Sequence, residues 1–306
     1  MLMTFRRFIR LSLWTIASCV ILVAVVAALV WWYFHPSVQR RNGVVYGQRG
    51  EGKLVLDVIK PRAPNGLGVL VMVSGGWRSG RPGSFEEWMA SPLLRHGYTV
   101  FAIYHVSQPE ATVMEIIEDV HRAVRFVRHH AAEYGVDPQR LAVTGGSAGG
   151  HLSLMLASRG QPGAADAADP VDRESSAVQA VAIFFPVTDL LNLGKSVENL
   201  GDGGPPKSYR RAFGPQSTNL AVWKVIGRDC SPIYHITSNL PPVLIYHGDA
   251  DPLTPLEQSE WFRSKAREFG RTVKIVVHPG GRHGWFTMPM DIRNFADWFD
   301  ECLLRP

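Results

Sequence analysis

Three short stretches carry the side chains that acyl-transfer chemistry needs. They are VTGGSAGGHLS at 143 to 153, HGDADPLTP at 247 to 255 and GGRHGW at 280 to 285. A serine hydroxyl is a weak nucleophile near neutral pH, and it acts when a base within hydrogen-bond reach takes its proton and a carboxylate orients that base. Ser147 is the candidate nucleophile and His283 the candidate base, since a histidine between glycines in a loop can be aimed. Asp249 and Asp251 are the candidate acids, and spacing does not separate them. The glycines around Ser147 also admit a phosphate cradle, but no Lys-Ser/Thr pair follows them and the G-x-G-x-x-G register is absent.

Charge that builds on a carbonyl oxygen during acyl transfer calls for waiting backbone N–H donors. Ala148, directly after the serine, is the expected first donor, and Gly75 or Gly76 in VSGGW (73 to 77) the expected second. Trp77, His151 and Trp285 flank these motifs and are the candidate lining of a substrate pocket, although a structural role competes for His151. Among the other histidines, His121, His129 and His130 read as exposed helix positions and His247 as a local packing group. His105, at the end of a strand, is left open.

These residues need rigid elements beneath them. LGVLVMVSGG (67 to 76), YTVFAIYH (98 to 105), RLAVTG (140 to 145), VQAVAIFFPVTDL (178 to 190), PPVLIYHG (241 to 248) and TVKIVVHP (272 to 279) read as buried strands. Helical spacing separates them: SFEEWMASPLLRHG; the stretch 112 to 135 with Val113, Ile116, Ile117, Val120, Val124 and Val127 on one face; GGHLSLMLAS; LEQSEWFRSKAREFG; and MDIRNFADWFDECL. Strands alternating with helices predict an α/β fold with a mostly parallel, doubly wound sheet. Ser147, both acids and His283 all fall at strand C-terminal ends, where open α/β sheets gather their sites. VVYGQRGEGKLVLDVIKPR (44 to 62) predicts two strands around a turn. Residues 159 to 176 read as a surface loop, and the Gly/Pro-rich 190 to 235 as a cap or lid excursion.

Taken together, VSGGWRSG, RAVRFVRHHAAEYGVDPQRLAVTGGSAGGHLSLML, FFPVTDLLNLG and PPVLIYHGDADPLTPLEQSE with HPGGRHGW resemble the α/β-hydrolase serine esterases of the hormone-sensitive-lipase and BD-FAE (feruloyl/acetyl-xylan esterase) groups, over roughly residues 45 to 305. The resemblance implies Ser147 as nucleophile, His283 as base, and Asp251 as acid because of the family's Asp-x-x-x-Pro ending. It implies an oxyanion hole of Gly75, Gly76 and Ala148, and a reaction without metal or cofactor. Relatives carry His-Gly-Gly-Gly-Trp where this chain has Val73, Ser74, Gly75, Gly76 and Trp77, so the internal hydrogen bonding of that loop must differ.

Residues 11 to 34 contain no charge and end in Trp31, Trp32 and Tyr33 before Phe34. As a helix they reach roughly 36 Å, enough to cross a hydrocarbon core of about 30 Å. The length and the aromatic end predict an uncleaved transmembrane signal anchor behind a basic flank at 1 to 10. Cys19 lies within the apolar run, so the expected reading is a membrane-buried thiol. A linker over 35 to 44 is expected to join the anchor to a hydrolase domain over 45 to 306. Arg6, Arg7 and Arg10 argue for the N-terminus inside and the domain on the exported side, while Arg40 and Arg41 on the other flank oppose that order.

Residues 1 to 41 hold five arginines and no acid, and the remaining 27 basic residues balance all 27 acids. The basic charge therefore belongs to the N-terminus, and a nucleic-acid-binding surface on the folded domain is not indicated. Cys230 and Cys302 beyond the anchor are too few for a disulfide scaffold. The expected function is hydrolysis of a small-molecule or glycan-linked carboxylic ester. A peptidase of the prolyl-oligopeptidase kind shares fold and triad but usually carries a large partner domain, for which 306 residues leave no room. A non-catalytic binding module on the same fold would tend to lose the histidine that is present here.

Overall fold

The computed structural model describes residues 2–304, with side chains from residue 11 onward. The side chains of Arg6, Arg7 and Arg10 in the basic flank lie outside the described residues. The chain opens with α1 (Leu2–Phe34), followed by β1 (Val38–Arg49) and β2 (Gly52–Pro61), an antiparallel pair. The linker expected over 35–44 is therefore strand from Val38 onward. It is held there because the Arg40 guanidinium bonds the buried Asp57 carboxylate, Glu87 and the Phe85 carbonyl, while Asp57 also accepts the Gly43 N–H.

Next come β3 (Gly68–Met72), the two-residue strands β4 (Ser74–Gly75) and β5 (Arg78–Ser79), α2 (Glu87–Arg95) and β6 (Thr99–Tyr104). The long helical stretch divides into α3 (Val113–His129) and the short α4 (Ala131–Tyr134), which ends at Gly135 in the left-handed conformation, φ 69°. Thr112 and Glu115 close the α3 start as a reciprocal capping box. The rest is β7 (Leu141–Gly146), α5 (Ala148–Arg159), β8 (Ala180–Phe184), α6 (Leu220–Asp229), β9 (Val243–Gly248), α7 (Glu257–Glu268), β10 (Val273–His278) and α8 (Met288–Leu303).

Eight strands form one sheet in the order β1-β2-β6-β3-β7-β8-β9-β10, antiparallel only where β2 meets β1 and β6. The sheet is thus mostly parallel and α/β, as its alternating pattern requires. Its inner strands read as unbroken apolar runs because both faces are covered. On one face Val120, Val124, Leu152 and Leu156 of α3 and α5 join a core with Leu70, Val143 and Ile183. On the other, Leu93 of α2 and Phe295 and Phe299 of α8 pack on Val69, Ala142 and Leu244.

His121 corrects the sequence reading. Instead of lying exposed on α3 it is buried, with Nδ1 2.9 Å from Ser176 Oγ. The loop at 159–176 folds back over this side of the helix, tied down by Arg122 to Asp169 (2.6 Å) and Asp172 (2.5 Å). Cover supplied by a distant loop leaves no trace in the local helical pattern. His129 is exposed as expected, whereas His130 is half-buried, its Nδ1–H donating to the Phe126 carbonyl at 2.9 Å.

Candidate active site

β7 ends in a turn so tight that glycine is required on both sides of Ser147. A Cβ on Gly145 would lie 2.6 Å from the Gly149 carbonyl carbon, and one on Gly149 would lie 2.5 Å from the Met72 carbonyl oxygen. Ser147 takes φ 55° and ψ −119°, a conformation that L side chains rarely adopt. Its N–H is fixed on the Phe184 carbonyl at 3.0 Å, and its carbonyl accepts the His151 N–H at 2.8 Å. The strain turns the hydroxyl out above the sheet edge.

His283, three residues past the β10 turn, reaches it. The Ser147 hydroxyl donates to His283 Nε2 at 2.9 Å, and His283 Nδ1–H donates to Asp251 Oδ2 at 2.7 Å. Asp251 is buried, and its other oxygen accepts the N–H groups of Leu253 (2.9 Å) and Thr254 (3.0 Å). A carboxylate with both oxygens occupied cannot swing, so it fixes the imidazole tautomer that leaves Nε2 free to accept a proton. The Phe185 ring lies 4.4 Å from the imidazole and flanks it. Asp249 serves elsewhere: its Oδ1 accepts the Gly280 N–H at 2.7 Å and braces the loop leading to His283.

His247 is a packing group, as expected. Its Nε2–H donates to the Thr254 carbonyl at 2.6 Å and its Nδ1 faces Ser259 Oγ at 2.7 Å. Burial lowers its pKa. It thereby supports the turn that presents Asp251.

The loop after β3 forms a two-residue hairpin, β4 pairing with β5 around Gly76 (φ 54°) and Trp77 (φ 56°). Positive φ at both central residues suits the right-handed twist of a tight hairpin. Gln108 holds it through its N–H to the Trp77 carbonyl (3.0 Å) and its side chain to the Gly76 carbonyl (3.4 Å). Where relatives carry His-Gly-Gly-Gly-Trp, Ser74 Oγ donates to His105 Nε2 at 2.9 Å and His105 Nδ1–H donates to the Val106 carbonyl at 2.8 Å. His105, just past β6, thus ties Ser74 of the hairpin to the edge of the main sheet. Gly75 pairs with Arg78 in the hairpin, while Gly76 and Ala148 both line the cavity at Ser147. The Ala148 N–H is the first amide of α5, one of the donors a helix leaves unpaired at its start.

That cavity is small, about 40 Å³. Trp77 lines it. His151 and Trp285 do not, which corrects their reading as pocket residues. His151 is fully buried behind Trp77, accepting the indole N–H on Nδ1 at 3.1 Å and donating from Nε2 to the Cys230 carbonyl at 2.6 Å. Trp285 turns away, its N–H on Asp291 at 2.7 Å and its ring stacked on His278. Much of the wall comes from the 190–235 excursion, through Leu193, Ser196, Glu198, Pro206 and Tyr209, residues that the sequence reading did not single out. Gly and Pro erase periodicity there, so only composition marked the segment.

Besides His247, three buried imidazoles give the fold a defined pH response. Burial pushes His121 down to about 3, with the Arg159 and Arg125 charges adding to it, and pushes His105 and His151 down to about 4. Each binds a proton on unfolding once the pH drops below the ordinary imidazole value, and refuses it in the fold. Their contribution is complete above pH 6.5 and is lost as the pH falls towards 4, at up to ~1.4 kcal/mol per pH unit for each group. Denaturant titrations at falling pH should show this slope, and His121→Gln should remove one of the three contributions.

Known proteins share sequence and fold with this chain. The family model described as BD-FAE matches residues 56–266. Esterase LipQ of Mycobacterium tuberculosis (strain ATCC 25618 / H37Rv) is 33% identical over 232 residues, covering 73% of this chain and 51% of its own. Isoprenylcysteine alpha-carbonyl methylesterase ICME of Arabidopsis thaliana is 24% identical over 278 residues, covering 87% and 62%. The chain spans about half the length of the curated relatives it matches, 46% for the probable carboxylic ester hydrolase LipM of the same Mycobacterium strain. Among solved structures, butyrate-bound Thermogutta terrifontis esterase 2 superposes with a TM-score of 0.64 at 28% identity, over 87% of this chain and 93% of that one. A truncated carbohydrate esterase from gut microbiota, at TM-score 0.69 and 24% identity over 87% and 97%, shares the fold. The architecture is that of an α/β-hydrolase.

Proposed function

The chain belongs to the BD-FAE family, and from that premise we propose that it is a serine carboxylic-ester hydrolase working through an acyl-enzyme on Ser147. The observation that carries the reading is the continuous chain of bonds from Ser147 through His283 to Asp251, opening on the cavity that Gly76 and Ala148 line. Ser147 Oγ attacks the acyl carbon as His283 Nε2 takes its proton, and the buried Asp251 carboxylate stabilises the imidazolium. The N–H groups of Ala148 and of the Gly75–Gly76 loop receive the oxyanion. Collapse breaks the ester bond and the alcohol leaves with the proton from His283. Water then attacks the acyl-enzyme with His283 as base, releasing the acid and restoring Ser147.

The cavity limits the substrate. At about 40 Å³ it is small, so one arm of the ester is short and the other leaves the cavity. A relative named for methyl esters and neighbours bound to butyrate and propionate support a small arm. The full chain should hydrolyse p-nitrophenyl acetate at least about tenfold faster, in kcat/KM, than the decanoate. Leu193→Ala, which removes part of the wall, should narrow that ratio severalfold. Equal rates along the series would overturn the small-arm reading, and no hydrolysis of any ester would favour a binding module.

The same proposal keeps α1 as an uncleaved signal anchor with the hydrolase domain on the exported side. Residues Leu11–Phe34 have the length and hydropathy of a membrane span, and their side chains are unburied. Arg40 and Arg41, which oppose that orientation by sequence, are both engaged by acids, Arg40 with Asp57 and Glu87 and Arg41 with Glu133.

A further inference from the structure

The last turn of α1 is clamped to the domain. Arg95 of α2 donates to the carbonyls of Trp32 and Tyr33, Ser91 donates to the Tyr33 carbonyl, and the Arg95 guanidinium lies 3.8 Å over the Trp32 ring. Capping of carbonyls by a cation is favourable at a helix C-terminus and sets the direction in which the domain stands from the helix.

Between helix and domain runs an open apolar groove of about 720 Å³. Ala27, Val30 and Phe34 of α1 form one side, and Trp88, Phe286 and Met290 the other. Phe286 is 98% exposed and Met290 66%, so the domain presents bulk hydrophobic surface beside the anchor. Singly exposed apolar residues are ordinary, but here they are contiguous with the apolar span. Ala27 lies seven residues before Phe34, roughly 10 Å along the helix, so the domain side of the groove stands level with the end of the span. The groove shares Trp88 and Pro289 with a second apolar cavity of about 430 Å³, which ends against Phe184 and the backbone of Gly145 and Gly146, just before Ser147.

We propose that this face is sunk into the proximal leaflet, with the groove occupied by hydrocarbon chains of the bilayer lipids around α1, so that the esterase domain lies against the membrane instead of hanging free of it. The proposal rests on the anchor reading above. Burying Phe286 and Met290 in hydrocarbon takes two large apolar side chains out of water, which holds this face down once α1 is inserted.

The test uses the full chain with Cys19→Ser and Cys302→Ser, in which the remaining Cys230 is buried. Phe286→Cys or Met290→Cys is labelled with bimane in phosphatidylcholine vesicles containing nitroxide-labelled acyl chains. Glu118→Cys, exposed on α3 across the sheet from α2 and α8, is the reference. Quenching of at least about twofold at 286 and 290, and little at 118, is expected for groups at interfacial depth. Flotation with the vesicles without quenching at 286 and 290 overturns this inference alone. Failure to float overturns the anchor reading and this one with it. The readout is independent of ester hydrolysis.

Discussion

Ser147→Ala should lower kcat for p-nitrophenyl acetate by at least about 10⁴-fold, because nucleophile and base act as a unit and what survives is the contribution of binding and oxyanion donors. The backbone should persist, since the residue's N–H and carbonyl, on Phe184 and His151, are unchanged by the substitution. Alanine keeps the unfavourable φ of 55°, whereas Ser147→Gly relieves it. A strained non-glycine residue costs about 1–3 kcal/mol, so the glycine variant should melt above the alanine variant while both stay inactive. Activity assays with thermal melts on the three proteins check both halves. Hydrolysis that survives Ser147→Ala would sink the acyl-enzyme mechanism, and equal melting of the two variants would remove strain as the reason the hydroxyl projects.

The turn around Ser147 was legible because its constraints are local. Gly145 and Gly149 are dictated by backbone atoms that the strand-turn-helix path itself brings within about 2.6 Å, so the motif and its flanking elements could be read together. The alternation of apolar strands with amphipathic helices likewise fixed an α/β architecture, since both periods are written residue by residue. What failed depended on remote cover or on side-chain direction. His121 is buried by a loop about fifty residues away, and the capture of Arg40 by Asp57 and Glu87 turned an expected linker into strand. Trp285 stands two residues from His283 yet points to Asp291, because neighbours in a loop need not share a face. The cavity wall from 190–235 has no period to read, and Ser74–His105 joins a hairpin residue to one just past β6, which no local pattern links.

The two acids that spacing could not separate give the second large effect. Asp251→Asn should reduce kcat by about 10⁴-fold near neutral pH, and Asp249→Asn should leave it within about threefold. In the first variant the side-chain oxygen can still accept the N–H groups of Leu253 and Thr254, so the turn should hold. The amide nitrogen then faces His283 Nδ1, which must accept instead of donate. That places the imidazole proton on Nε2, opposite Ser147 Oγ, where no lone pair remains to receive the serine proton. KM should change little, because the carboxylate lies behind the imidazole and away from the cavity. In the second variant the amide oxygen can keep the Gly280 N–H, and the group lies on the solvent side of the loop, so neither tautomer nor charge at His283 is altered. Steady-state kinetics on both variants decide the assignment. A large loss in Asp249→Asn with Asp251→Asn near normal would transfer the acid's role to Asp249, and a loss in neither would mean that the imidazole is oriented without a carboxylate.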